Sequence, residues 1–238
     1  MKVNLIGCLF VLDTERNENI RKNDIQKIKI LTTKDFKLPS VLFDGKSVKN
    51  QVRNNLSSII GSNIFHLEQV FAMDYEKEID IIYLGVTNIE NVKKLDNNYQ
   101  LIDFKVENNN TITFGNDLYS YKTIEIENYN NIEYIHEIKT EDVNIKRTLL
   151  DALISYKRIR VNADSSNIIF KFMGSSFTLE DVRILYEMVK DTKVDKSNFR
   201  KKIIKYCEKI EDAKADKKNG FRPSQKYRFK LLREDIWI

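Results

Sequence analysis

The sequence feature that most constrains the fold is the stretch Phe177–Leu232, which predicts two short helices followed by a basic hairpin. Thr178 and Asp181 have the spacing of a capping box, and Asp195 is a suitable N-cap for a second helix after a short polar link. Around the basic turn KADKKNGFRP, two strands are predicted: Ile210–Ala213 and Gln225–Leu231. This order of elements indicates a winged helix-turn-helix.

The second predicted helix has an apolar face and a polar, basic face. Such a helix suits insertion into the major groove of DNA. Ser197, Asn198 and Lys201 are the candidates for base contacts, since asparagine can bind adenine through two hydrogen bonds and lysine can donate to guanine. Asn198 can instead serve only the helix start. The apolar side is assigned to the core of the winged helix, together with two aromatic residues of the hairpin: Phe199, Ile203, Tyr227 and Phe229.

Basic residues around this helix and in the hairpin are candidates for phosphate contacts, which position a protein on DNA without reading its sequence. They are Lys196, Arg200, Lys205, Lys218, Arg222 and Lys226. A solvated pair of basic helices without a ligand would show part of the same pattern. The two caps, the split between polar and apolar faces and the basic hairpin together favour DNA binding.

Charge is unevenly distributed between the two halves of the chain. From Lys139 onward there are 24 Lys and Arg against 15 Asp and Glu, whereas residues 1–138 hold 16 against 20. A basic rear half is the electrostatic footprint of a nucleic-acid-binding unit. We therefore predict two domains, residues 1–138 and residues 139–238.

Several classes of protein and site are not expected from this sequence. No apolar run is long enough to span a bilayer, and the first residues lack the features of a signal peptide. Cys8 and Cys207 are far apart and lie in apolar patterns, which indicates buried thiols in a reducing cytoplasm. No CxxC, HxxxH, catalytic triad or glycine-rich phosphate loop is present, so neither a metal nor a cofactor is expected.

The front half predicts a mixed α+β domain from its hydrophobic periodicity. Val3–Leu12 is a continuous apolar strand, and Ile25–Leu31 is a strand in which apolar and polar residues alternate. Ser47–Ile60 is a helix that ends at Gly61, and Phe65–Met73 and Ile79–Val86 are two strands around the turn DYEKE. Short strands follow up to about residue 126. Ile89–Leu95 has a weak helical pattern, and Glu141–Ile159 is predicted as a helix that is capped by Thr140 and joins the two halves. Asn167–Met173 is predicted as a strand.

Four motifs in the rear half lie in the order and at about the spacing of a known family: FTL at Phe177–Leu179, the tyrosine at Tyr186, DKSNFRKKI at Asp195–Ile203, and RPSQKYRF at Arg222–Phe229. Through them the chain resembles the NrtR-type Nudix-related transcriptional regulators. The resemblance implies a Nudix-like α/β/α mixed sheet followed by a C-terminal winged helix-turn-helix. It also implies a homodimer that binds double-stranded operator DNA and senses a small effector, such as ADP-ribose, another NAD-related metabolite or a sugar.

The segment Leu38–Gly61 lies where such a family carries its Nudix box, G-x5-E-x7-R-E-U-x-E-E-x-G-U. When the box is aligned on Gly61, its acidic positions fall on four residues without a carboxylate: Lys46, Asn55, Ser58 and Ile59. Nudix hydrolysis needs carboxylates on this helix, because they hold the magnesium that activates water. The sequence therefore predicts a sensor domain without catalytic residues and without hydrolase activity.

Loss of the acids leaves two basic residues as candidate ligand-binding residues, Lys46 and Arg53, which can attract a phosphate. A shift of the alignment by one residue makes Arg53 the box arginine but restores no glutamate. Both residues can equally be solvated positions of the helix.

Two other functions are compatible with the sequence. The first is a Nudix-type hydrolase of ADP-ribose or another nucleoside diphosphate that uses carboxylates outside the box: Glu68, Asp74, Glu76 and Glu78. The second is a protein-interaction module with a relic fold, which salt-dependent binding to promoter DNA would argue against.

Overall fold

The computed structural model describes residues 1–15, 25–75, 77–128, 131–164, 167–214 and 224–230. Three residues singled out above, Glu76, Lys218 and Arg222, lie outside the described residues. The front half contains the strands and helix β1 (Lys2–Glu15), β2 (Ile25–Thr33), β3 (Ser40–Leu42), α1 (Val48–Ile60), β4 (His66–Tyr75), β5 (Glu78–Asn88), β6 (Tyr99–Glu107), β7 (Thr111–Phe114), β8 (Asp117–Asn128) and β9 (Asn131–Ile138). The rear half contains α2 (Val143–Asn162), α3 (Ile168–Lys171), α4 (Leu179–Lys190), α5 (Lys196–Ile203), β10 (Cys207–Lys214) and β11 (Gln225–Phe229).

Within the described residues, nine strands form one mixed sheet in the order β4-β5-β1-β2-β6-β7-β8-β9, and β3 pairs with β1. The apolar strand β1 is parallel to β5 and antiparallel to β2. Its side chains alternate between two apolar clusters, because successive residues of a strand point to opposite faces. Ile6, Cys8 and Phe10 belong to the cluster that contains α2, whereas Leu5 and Leu9 belong to the cluster that contains α1. The predicted α/β/α arrangement is confirmed.

Helix α1 ends where the sequence predicts, and its buried face consists of Val52, Leu56, Ile59 and Ile60. Gly61 adopts a left-handed conformation with φ of 65°, a conformation that favours glycine and ends the helix. The helix lies close to β1 at Gly7, where an added Cβ would lie 2.9 Å from Leu56. The absence of a side chain at Gly7 therefore allows this close packing. Ser47 occupies the N-cap position, but its side chain makes no capping hydrogen bond.

Three predicted elements are wrong or misplaced. The segment Asn167–Met173 is not a strand but contains the short helix α3, and four of its apolar residues are buried: Ile168, Ile169, Phe170 and Phe172. A short apolar run does not distinguish a buried strand from a buried helix. Helix α2 is capped by Asp142, which accepts hydrogen bonds from the amides of Asn144 and Ile145 at 2.9 and 3.0 Å, rather than by Thr140. The predicted helix Ile89–Leu95 is a single 3-10 turn, Ile89–Asn91.

The rear half forms a winged helix. Strand β10 begins at Cys207, three residues earlier than predicted, and pairs with β11 from Cys207 opposite Phe229. Phe177 forms an isolated antiparallel β-bridge with Tyr227 of β11, in which the two backbones exchange hydrogen bonds of 2.9 and 2.8 Å. Phe199, Ile203 and Tyr227 are buried as predicted, and Phe229 packs against the same cluster.

One apolar cluster runs without a break from the sheet through α2 into the winged helix. It includes Phe10 and Phe104 of the sheet, Tyr156 of α2, and Phe170 and Leu185 of the rear half. The two halves therefore share a core, although their boundary between residues 138 and 139 remains a prediction. Among the described residues, no helix combines the length and the apolar character needed to span a membrane.

Candidate nucleic-acid interface

Helix α4 begins with the capping box that its sequence predicts. The amide of Thr178 donates to Oδ2 of Asp181 at 2.8 Å, and the amide of Asp181 donates to Oγ1 of Thr178 at 3.2 Å. These reciprocal bonds satisfy two amides that a helix start leaves without a partner. The first helix of the pair is therefore fixed at its N-terminus.

Glu187 organises the turn between α4 and α5. Its carboxylate is 5% exposed and accepts hydrogen bonds from the amide of Val194 at 3.1 Å, from Nζ of Lys193 at 2.9 Å, and from Arg183. Burial alone would raise the pKa of Glu187, but the hydrogen bonds from Lys193 and Val194 and the charge of Arg183 outweigh it and lower the pKa. An ionised carboxylate thus holds the turn that sets the orientation of α5.

Helix α5 starts at Asp195, whose carboxylate accepts a hydrogen bond of 2.8 Å from the amide of Asn198. Its buried side consists of Phe199 and Ile203, and the ring of Phe199 lies 5.0 Å from the ring of Tyr186 on α4. Aromatic pairs at this distance and tilt are favourable beyond the area that they bury. Packing against α4 therefore leaves the opposite side of α5 in solvent.

The three candidates for base contacts lie together on this solvent side. Ser197, Asn198 and Lys201 are all exposed. The backbone amide of Asn198 takes part in the helix cap, so the structural role considered for this residue involves its backbone, while its side-chain amide remains at the surface. All three side chains are thus accessible to a ligand.

The candidates for phosphate contacts differ in their surroundings. Nζ of Lys196 lies 3.2 Å from Oε2 of Glu180, and the ammonium of Lys205 lies 4.9 Å from the centre of the Tyr206 ring. Arg200 and Lys201 are exposed and make no ion pair with any residue in the described ranges. Lys226 is half-buried on β11, in the wing. Lys196 and Arg200 therefore lie on α5, Lys205 lies in the turn that follows it, and Lys226 lies on a different element.

Asp164, near the end of α2, connects both helices of the pair to the joining helix. It accepts hydrogen bonds from the hydroxyl of Tyr186 at 2.5 Å and from Nζ of Lys190 at 2.8 Å, and Nζ of Lys202 on α5 lies 3.4 Å away. The hydrogen bonds from Lys190 and Tyr186 lower the pKa of Asp164 to about 2. Burial and the bond to Asp164 raise the pKa of Tyr186 to about 12. Neither group changes its charge near neutral pH.

The box positions on α1 bring no carboxylates together. Asn55 and Ser58 are not buried, Ile59 is buried, and Lys46 is 82% exposed beside Asp44. Among the residues with described positions, no group of three or more His, Cys, Asp or Glu side chains could hold a metal ion.

The three carboxylates considered for a hydrolase that the structure describes do not converge. Glu68 lies near one end of the β4–β5 hairpin, opposite Leu84, whereas Asp74 and Glu78 lie near its turn. Asp74 lies six positions after Glu68 along β4, which is about 20 Å at the rise of a strand. Glu78 accepts a hydrogen bond from Asn4 at 3.1 Å and lies 3.7 Å from Arg147. These contacts tie Glu78 to structural partners.

A cavity of about 620 Å³ lies between α1, the start of β4, the end of α2, and α3. Of the two candidate ligand-binding residues, Arg53 lines the cavity and Lys46 does not. The guanidinium of Arg53 donates to the carbonyls of Asn63 and Phe65 at 3.2 and 3.3 Å and lies 4.8 Å from the centre of the Phe65 ring. Arg53 therefore also holds the loop that follows α1.

Sequence reasoning missed most of this cavity. Its other charged residues come from separate parts of the chain: Lys49, Glu68, Arg158 and Lys171. No motif joins these positions, because only the packing of α2 and α3 beside the sheet brings them together. The sequence pointed toward anions here only through Arg53 and through the surplus of basic residues after Lys139.

Comparison with known proteins agrees with the winged helix. Residues 169–229 match the model of a family described as the NrtR DNA-binding winged helix domain. This part of the chain is therefore similar to the DNA-binding winged helix of NrtR proteins. No curated protein matches the chain in sequence.

Solved structures share the fold along nearly the whole chain. A MutT/nudix family protein from Enterococcus faecalis is 14% identical with a TM-score of 0.66, and the match covers 97% of this chain and 88% of that one. NrtR from Shewanella oneidensis, complexed with a 27mer DNA, is 12% identical with a TM-score of 0.67, and the match covers 96% of this chain and 93% of that one. The predicted Nudix-like fold of the front half is thereby confirmed.

Proposed function

We propose that this protein is a transcriptional regulator that binds double-stranded operator DNA through its winged helix and senses a small metabolite with its Nudix-like domain. The observation that carries the proposal is the match of residues 169–229 to an NrtR DNA-binding winged helix domain, within which α5 presents an exposed basic face. The Shewanella oneidensis NrtR structure of the same fold contains a 27mer DNA.

In this proposal α5 enters the major groove. Ser197, Asn198 and Lys201 contact base edges, while Arg200 and the neighbouring lysines neutralise phosphates. Glu187 and Asp164 support recognition indirectly, because they hold the turn and the far side of the helix pair. The wing, which carries Lys226, lies beside the helix and would contact the DNA backbone.

We further propose that the protein acts as a homodimer in the cytoplasm. A two-fold symmetric dimer presents two recognition helices to two half-sites of a palindromic operator. Both Cys8 and Cys207 are free thiols, which suits a reducing compartment.

The Nudix-like domain is proposed to bind its effector without hydrolysing it. ADP-ribose, a related NAD-pathway metabolite and a sugar are the effectors to test. The box helix carries Asn55, Ser58 and Ile59 where hydrolysis would need carboxylates, so it has no ligands for magnesium. Magnesium-dependent turnover of ADP-ribose by the pure protein would contradict this part of the proposal.

The regulator proposal is tested by recovering bound DNA. Purified full-length protein is mixed with fragmented genomic DNA, and bound fragments are sequenced and footprinted. We expect a short set of sites that share a palindromic sequence, protected by the wild type and not by a Ser197→Ala/Asn198→Ala/Lys201→Ala variant that melts at the same temperature. Recovery of random fragments, equally by both proteins, would refute sequence-specific regulation.

A further inference from the structure

We propose that the cavity between α1, β4, α2 and α3 is a binding site for a phosphate-bearing small molecule of nucleotide or sugar-phosphate size. The proposal deepens the effector function suggested above, and only its regulatory consequence rests on that function. The site is defined by Lys49, Arg53, Arg158 and Lys171 as cations, with His66 and Glu68 beside them.

The charges that face the cavity favour an anion. Four Lys and Arg side chains line it against the single carboxylate of Glu68. That carboxylate is already engaged, because Nε2 of His66 lies 3.3 Å from its Oε2 and Nε of Arg158 lies 3.7 Å from its Oε1. In the part of the chain that the structure describes, neither Lys49 nor Lys171 is in an ion pair. Cations that surround one space repel each other, whereas each of them would attract a bound phosphate.

The size and the apolar part of the cavity set the class of ligand. A volume of about 620 Å³ falls within the range of about 300–1,000 Å³ that is typical of small-molecule sites. Ile64 and Met173 contribute apolar surface to the same space, and Ile64 is 60% exposed. A ligand with a charged phosphate end and a sugar or nucleoside body therefore matches the lining better than a free inorganic ion does.

This site is distinct from the face of α1 that carries the box positions. Lys49 and Arg53 are four residues apart and share one side of the helix. Ser58, a box position, follows Arg53 by five residues and lies about 140° further around the helix, at 100° per residue. The proposed ligand therefore does not occupy the place where a Nudix enzyme holds its metal.

Both halves of the protein line the cavity, so that binding of the ligand can affect the winged helix. Lys49 belongs to α1, whereas Lys171 belongs to α3, which leads into the winged helix. A phosphate bound by both would tie the position of α3 to the front domain. Ligand and DNA affect each other only if the ligand binds two arrangements of these walls with different affinities, and that coupling is reciprocal.

The test uses isothermal titration calorimetry of inorganic pyrophosphate and of ADP-ribose into the purified full chain. The variants are Lys49→Glu and Lys171→Glu, with Lys49→Gln as a milder change. The matched control is Lys34→Glu, which reverses an exposed lysine that does not line the cavity. We expect saturable binding by the wild type and the control, at least tenfold weaker binding by each glutamate variant, and an intermediate loss in Lys49→Gln.

Two results would overturn the site. One is an absence of saturable binding of either probe to the wild type at millimolar concentration, and the other is equal affinity in the wild type and the Lys49 variants. Operator affinity without ligand is measured on the same samples, and the control Lys34→Glu is expected to keep it. Binding of pyrophosphate without any specific binding of DNA would refute the regulator proposal and leave the site standing.

Discussion

The side-chain amide of Asn88 donates a buried hydrogen bond to the carbonyl oxygen of Phe172, with 3.3 Å between Nδ2 and O. Asn88 ends β5 of the Nudix-like sheet, and Phe172 follows α3 at the entrance to the winged helix. A second link joins the β6–β7 turn to the rear half, where the backbone amide of Asn108 donates to Asp191 at 2.8 Å and the guanidinium of Arg160 donates to the carbonyl of Val106 at 3.0 Å. Polar contacts and a shared core thus join the Nudix-like domain to the winged helix.

Replacement of Asn88 by alanine is expected to destabilise the protein. The change removes the hydrogen bond to Phe172 and leaves a buried carbonyl oxygen without this donor, which typically costs about 1–3 kcal/mol. Urea unfolding of the full chain gives the free energy of unfolding, and the exposed Asn97→Ala serves as a control that should remain within about 0.5 kcal/mol of the wild type. A loss no larger in Asn88→Ala than in Asn97→Ala would show that this contact does not stabilise the junction.

Lys201→Ala is expected to lower the affinity for the operator by about 1–3 kcal/mol and to relax the base preference at one position. The physical reason is that Lys201 is exposed on the face of α5 that we assign to the major groove. Fluorescence anisotropy with labelled operator and with single-base variants measures both effects, and Lys34→Ala provides a lysine remote from α5. Unchanged operator affinity would remove Lys201 from the base-contacting residues.

Arg200→Ala is expected to weaken operator and random DNA to similar extents. An arginine that contacts a phosphate contributes to binding of any sequence and releases a counterion, so its loss reduces the slope of log K against log salt by about 1. Lys196→Ala is a useful comparison, because Lys196 is paired with Glu180 in the absence of DNA. A salt slope that equals that of the wild type would place Arg200 outside the contact with phosphate.

Asp151 is expected to make stability depend on pH. Burial between α2 and β1 raises the pKa of Asp151 to about 7, and the charge of Arg147 only partly offsets this. The folded protein therefore keeps the proton that the unfolded chain loses near pH 4, so the stabilisation is complete below about pH 4 and is lost as the pH rises through about 7.

Urea unfolding is measured between pH 5 and pH 7, above the range in which the depressed pKa values of Asp164 and Glu180, each about 2, act. Burial lowers the pKa of His136, which acts in the same window with the opposite sign, so the effect of Asp151 is taken from the comparison with Asp151→Asn. The free energy of unfolding should fall across this range in the wild type, by at most about 1.4 kcal/mol per pH unit from this group. Asp151→Asn should show a smaller decline. Identical declines in the two proteins would mean that Asp151 does not hold a proton in the folded state.

Local signals in the sequence predicted the helix pair well. The bonds that start α4 and α5 involve residues at most three positions apart, namely Thr178 with Asp181 and Asp195 with Asn198, so the sequence contains the whole interaction. The continuous apolar run of β1 was equally readable, because a buried strand between two helix layers needs apolar residues on both faces. These features need no knowledge of the rest of the fold.

Features that depend on tertiary packing were not predictable in the same way. The segment at Ile168–Lys171 has the composition of a buried strand, and its helical form follows from its position between α2 and α4. The cavity joins Lys49 to Lys171, which are far apart in sequence and lie together only because α2 packs beside the sheet. Its ligand chemistry therefore becomes visible only in the folded protein.

The most direct test of the central claim is the affinity of the full-length protein for its selected operator and for a scrambled duplex, measured over a series of salt concentrations. Phosphate contacts predict that binding to both duplexes weakens as salt rises, while base contacts predict that the operator remains the tighter ligand by at least about a thousandfold near physiological salt. Equal affinity for the two duplexes at every salt concentration would contradict the assignment of α5 as a recognition helix.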